Sequence, residues 1–128
     1  MSFSVIFLNN LSSITPVHAE SYFIVERNGT FNQILKYQYH DPEEYFYKLI
    51  HKPREYYNEI NRLYSIIKEV LEEERVLING KRVSLNVEFI NIDFTGYIDL
   101  PYIVYFIKFK GTLKKGVNVF EDYYGETV

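Results

Sequence analysis

The chain has 128 residues and contains no cysteine, no tryptophan, one methionine, three histidines, four prolines and six glycines. Without cysteine there is no disulfide, no thiolate metal site and no thiol nucleophile, so stability must come from packing, and a cytoplasmic location is the expectation. Long apolar runs are missing too. The longest, residues 102–107, falls far short of the ~20 residues that a membrane-crossing helix needs, so no membrane partner is expected. No Lys or Arg precedes Arg27 and the apolar run 5–8 is too short for the core of a secretory leader, so residues 3–8 are read as a folded first strand. With 14 basic and 17 acidic residues the formal net charge is -3. The chain as a whole has no electrostatic grip on nucleic acid, which leaves only a local basic patch for that role.

Catalytic signatures are absent as well. None of His18, His40 and His51 stands in a metalloprotease helix motif, and there is no phosphate loop, dinucleotide fingerprint or serine elbow. No catalytic residue, metal ligand or cofactor is assigned, and an enzymatic role is disfavoured. The densest group of titratable side chains, His40-Asp41 with Glu43 and Glu44, is explained by helix capping. Asp93, Asp99, Glu88 and Glu121 supply an acid/base pair only if the fold brings two of them into one cleft.

Aromatic side chains are plentiful, with 13 Tyr and 10 Phe. Together with abundant Ile, Lys and Glu and the scarcity of labile residues, they resemble hyperthermophile composition. The chain is centred on residues 101–111, Pro-Tyr-Ile-Val-Tyr-Phe-Ile-Lys-Phe-Lys-Gly. As a strand, this stretch puts Tyr102, Val104 and Phe106 on one face and Ile103, Tyr105, Ile107 and Phe109 on the other. A strand apolar on both faces is central and covered twice.

Other elements follow from local chemistry. Asn28-Gly29 and Asn79-Gly80 each suit a tight type I′ turn, predicting hairpins from arms 22–26 and 31–39 and from 76–78 and 81 onward. Asp41-Pro42-Glu43-Glu44 reads as a capped helix start, with a buried stripe of Phe46, Leu49 and Ile50 and a stop near Lys52. A second helix, 54–74, carries Tyr56, Ile60, Leu63, Tyr64, Ile67, Val70 and Leu71 at helical spacing, and its Glu72-Glu73-Glu74 end is expected to be solvated. Along 85–94 the apolar phase slips by one residue, which predicts a β-bulge at Phe89-Ile90. A last strand is read at 117–120.

The fold class is therefore α+β: one domain, 1–128, with an antiparallel sheet of about six strands packed on a pair of helices, in the order β-ββ-αα-ββ-ββ with the helices on one face. The order is loosely similar to that of helix-grip folds, in which a curved sheet wraps around a long helix and leaves an apolar cavity. Three functions are open. The leading one is a non-enzymatic interaction or oligomerisation module, a homodimer or a binder of another protein, using Tyr57, Tyr105, Phe109, Tyr123 and Tyr124. A second is binding of a small apolar ligand in a cavity between sheet and long helix. The third is single-stranded nucleic-acid binding through a lysine-rich hairpin, with Lys108, Lys110, Lys114 and Lys115 joined by Lys81 and Arg82.

Overall fold

Residues 13–124 are described by the computed structural model; the expected strand at 3–8 and the C-terminal residues 125–128 lie outside them. The elements are β1 (Thr15–Val25), β2 (Thr30–His40), α1 (Tyr45–Leu49), α2 (Pro53–Glu73), β3 (Glu74–Ile78), β4 (Lys81–Val83), β5 (Asn86–Phe94), β6 (Pro101–Lys110) and β7 (Phe120–Tyr124). The α+β class with antiparallel pairing is as expected. The strands, however, divide between two sheets, a four-stranded one in the order β1-β2-β6-β5 and a three-stranded one in the order β4-β3-β7.

The two Asn-Gly dipeptides turn the chain differently. Asn79 and Gly80 both have positive φ, 52° and 81°, as a type I′ hairpin requires. In the first hairpin only Gly29 is left-handed. There the Gly29 N–H donates to the Glu26 carbonyl at 3.0 Å, and the Asn28 Oδ1 accepts from the Thr30 N–H at 3.0 Å. The result is a three-residue loop with glycine in the bulge position, because Asn28 uses its side chain to close an Asx turn.

Asp41 does cap α1, accepting from the Phe46 N–H at 2.9 Å, but it does so from within a turn. Pro42 and Glu43 precede the helix and Glu44 occupies the N-cap position with φ 57° and no capping hydrogen bond of its own. The first helix, expected to run from Asp41-Pro42 to near Lys52, is thus a single five-residue turn, and Ile50, expected in its buried stripe, is exposed. Pro53 opens α2, about 30 Å long, which buries Leu63, Ile67 and Leu71 along one stripe. It runs into β3 without a loop. For Glu74 the expected solvated helix end is corrected, since its carboxyl is buried on β3 while Glu72 and Glu73 stay exposed.

One core joins these layers. The inner face of the four-stranded sheet presents Phe31, Leu35, Tyr37 and Tyr39 from β2, Ile103, Tyr105, Ile107 and Phe109 from β6, and Ile90 and Ile92 from β5. Helix residues Phe46, Leu49, Leu63 and Ile67 and the β3 residues Val76 and Ile78 complete the same cluster. Phe120 of β7 packs on Phe31 and Phe109, with ring centroids 5.9 and 6.3 Å away. At the other end, the Tyr47 ring lies 5.8 Å from Phe94. The predicted phase slip in β5 is present one residue early, as a register shift between Val87 and Phe89. It turns Ile90 and Ile92 inward and Phe89 outward.

Candidate functional site

Among the described residues the helices and the second sheet pack on the odd-numbered face of β6 and no element covers its even-numbered face, where Val104 is buried and Tyr102 and Phe106 are half-buried. Cross-strand register shows what that open face carries. Tyr22 pairs with Ile34, Ile34 with Phe106 and Phe106 with Phe89, so one row spanning all four strands is apolar. Tyr22 is 52% exposed, Phe89 56%, and Ile24, one row along, 58%. The Phe89 and Phe106 rings lie 5.4 Å apart. A band of this kind on a water-facing surface is the usual mark of a contact region.

Polar rows border it. Glu20, Lys36, Val104 and Asn91 form one row, and His18, Gln38, Tyr102 and Asp93 the next. Glu20 accepts from the Tyr22 hydroxyl and lies 2.9 Å from the His18 ring. Those two hydrogen bonds, Tyr22 first, hold the Glu20 carboxyl below its ordinary pKa, and the same bond raises the pKa of the Tyr22 phenol. Lys36 sits over the Tyr102 ring at 4.6 Å. The polar groups beside the band are thus held in place by one another.

The five aromatics singled out from sequence do not share this surface. Tyr105 and Phe109 are corrected to core residues: they point inward from β6, and burial drives the Tyr105 phenol well above its ordinary pKa. Tyr57 is exposed on α2. Tyr123 stacks under Arg75, 4.8 Å from its ring, and the half-buried Tyr124 places its hydroxyl 3.4 Å from Glu73. The residues missed are Tyr22, Ile24, Ile34 and Phe89. Only their registration against Phe106 makes them a surface, and the even-numbered face of β6, Tyr102, Val104 and Phe106, was the available clue, although Val104 itself is buried.

Two clefts flank α2. One of about 340 Å³ is lined by Tyr56, Tyr57, Ile60, Tyr64, Phe89 and Ile90. Another of about 550 Å³ lies against Tyr64, Lys68, Leu71, Arg82, Val83 and Leu85. Both clefts open between α2 and the neighbouring strands, beside a closely packed centre in which Leu63, Ile67, Ile103 and Tyr105 are fully buried. The basic residues Lys81, Arg82, Lys108, Lys110, Lys114 and Lys115 are all exposed, and Asn79, in the turn that leads into Lys81 and Arg82 of β4, is hydrogen-bonded to the loop bearing the last two.

Among the described residues Asp41, Glu59 and Glu74 are buried carboxyls, Asp41 used as a cap and Glu59 paired with Arg62. Glu74 faces Asp122 across β3 and β7, and burial, then the hydrogen bond and charge of Asp122, push its pKa from 4.5 up to about 8. Nearby burial also pushes the Tyr37 phenol up to about 12. Of the acid/base candidates, Asp41 is spent on capping and His40 lies 3.9 Å from Asp99 at the surface. Among the described residues no three His, Asp or Glu side chains converge to hold a metal ion, and no helix is long and apolar enough to cross a membrane. No family model, curated protein or solved structure matches this chain.

Proposed function

We propose that the protein is a non-enzymatic interaction module whose open sheet face is its docking surface, with a second copy of the chain as occupant. The apolar row Tyr22-Ile34-Phe106-Phe89 carries this. A two-fold axis parallel to the strands, between β2 and β6, stacks β1 of one copy on β5 of the other, row against row. Tyr22 then meets Phe89 and Ile34 meets Phe106, so the apolar row faces itself, while in the bordering rows Glu20 meets Asn91, Lys36 meets Val104 and His18 meets Asp93. Such self-complementarity is what a symmetric dimer requires. Aligned sheet packing at about 10 Å accommodates these side chains.

The absence of native cysteine supplies the test. Glu20→Cys together with Asn91→Cys places thiols on opposite edges of one sheet, three strand spacings or about 14 Å apart, too far for a bridge within a chain. In the proposed dimer they face each other across the sheet spacing of about 10 Å, beyond direct disulfide reach but within that of a short thiol–thiol crosslinker. A bis-maleimide of about 8 Å reach should give a crosslinked dimer from the double variant and none from either single variant; a double variant that stays monomeric on a denaturing gel overturns this geometry.

A further inference from the structure

The end of the molecule where both hairpin turns meet the loop 111–119 is built as one unit. The Gly111 N–H donates to the Gly29 carbonyl at 3.0 Å. The Asn79 side chain donates to the Thr112 carbonyl and to Asn118 Oδ1 at 3.0 and 2.9 Å, and accepts from the Val119 N–H at 2.8 Å. Asn118 in turn accepts from the Lys114 N–H at 2.8 Å and donates to the Lys114 carbonyl at 2.9 Å. The lysine loop is therefore pinned, not a loose tail.

This unit carries Arg27, Lys81, Arg82, Lys110, Lys114 and Lys115. Glu26 and Glu121 stand at the same end, accepting from the neutral donors Asn32 and Tyr123, and are outnumbered by these cations. Asp41, Asp93 and Asp99 sit at the opposite end of the strands, so a chain of net charge -3 has one basic end. Aromatic surface lies beside the cations. Phe23 and Phe120, each more than a third exposed, have ring centroids 5.7 Å apart and rest on the stacked pair Phe31 and Phe109. Lys81 shares the cross-strand row of Ile78 and Phe120, hence their face.

We propose that this end binds single-stranded nucleic acid, with Arg27, Lys81, Lys114 and Lys115 on phosphates and Phe23 and Phe120 against unpaired bases. Lysines that only guard sheet edges stand on edge strands; Arg27, Lys114 and Lys115 stand in loops. Exposed rings favour a single strand because a duplex keeps its base faces stacked internally, whereas each unpaired base offers a face to stack on. The site is independent of the open sheet face.

The experiment is fluorescence anisotropy of labelled oligothymidylate and oligouridylate with the full chain. Four phosphate contacts predict a log–log salt slope of about -3. Lys114→Glu with Lys115→Glu, which touches no hydrogen bond of the loop, should weaken binding at least about tenfold and flatten the slope by about 1.4. Phe120→Leu should weaken binding about fivefold or more with the slope unchanged. No binding at about 50 mM salt overturns the proposal. So does equal binding of duplex DNA, or lysine-dependent binding of phosphatidylserine vesicles without binding of either oligonucleotide.

Discussion

Glu74→Gln tests the interior where the two sheets meet. Glu74 is 6% exposed and hydrogen-bonded to Asp122. Its pKa in the unfolded chain is the ordinary 4.5, and in the folded protein about 8. Between those values the folded state keeps a proton that the unfolded state has lost, so rising pH favours unfolding. Stability is fully present below about pH 4.5, falls through the window to about pH 8, and is level above it. At ~1.4 kcal/mol per tenfold change in proton affinity, the ceiling is about 5 kcal/mol. Solvent screening at the partly open pair lowers this to about 2–3 kcal/mol. Glutamine is neutral, nearly isosteric and still able to donate to Asp122. Urea unfolding at fixed ionic strength should therefore show wild type losing about 2–3 kcal/mol more than Glu74→Gln between pH 5 and pH 8.5. The two should be about equal at the lower pH, with the variant more stable at the higher. Parallel pH profiles would refute the buried, protonated carboxyl.

Two further substitutions probe the core and the turns. The Tyr105 hydroxyl is buried with no hydrogen-bond partner among the described residues, so Tyr105→Phe should stabilise the protein by about 1 kcal/mol in urea unfolding, and a loss of that size would mean the hydroxyl is bonded. Gly29 and Gly80 both have positive φ, but a Cβ on Gly29 would sit 2.0 Å from the Gly111 carbonyl oxygen while one on Gly80 meets nothing within 4 Å. Thermal melts should show Gly80→Ala costing about 1 kcal/mol and Gly29→Ala at least about 3 kcal/mol, and equal costs would show that the turn relaxes around the methyl group.

What could be read from the sequence was local. The Asn79-Gly80 turn, the start of α2 at Pro53, the two apolar faces of β6 and the phase slip in β5 each follow from neighbouring residues alone. What could not be read depended on distant pairing. Glu74 pairs with Tyr124 and Val76 with Asp122, some 50 positions along the chain, and this contact both splits the strands into two sheets and buries Glu74. It also starts β7 at Phe120, later than the strand expected at 117–120, since Asn118 holds the preceding residues in a loop. β1 extends back to Thr15 through Pro16 because an edge strand tolerates proline and a bulge follows at Val17. The outward face of β6 was undecidable from alternation, which makes Tyr105 and Phe106 equally good core residues; only the layers packed on one side distinguish them.

The central claim, that the open sheet face joins two copies of the chain, is tested most directly by solution mass from light scattering across protein concentration, for wild type and for Phe89→Lys. Phe89 is 56% exposed, so the substitution leaves the fold intact, as circular dichroism should confirm. The account predicts a concentration-dependent dimer for wild type and a monomer for Phe89→Lys under the same conditions. A wild-type chain that remains monomeric at every concentration, or a Phe89→Lys dimer as tight as wild type, would contradict it.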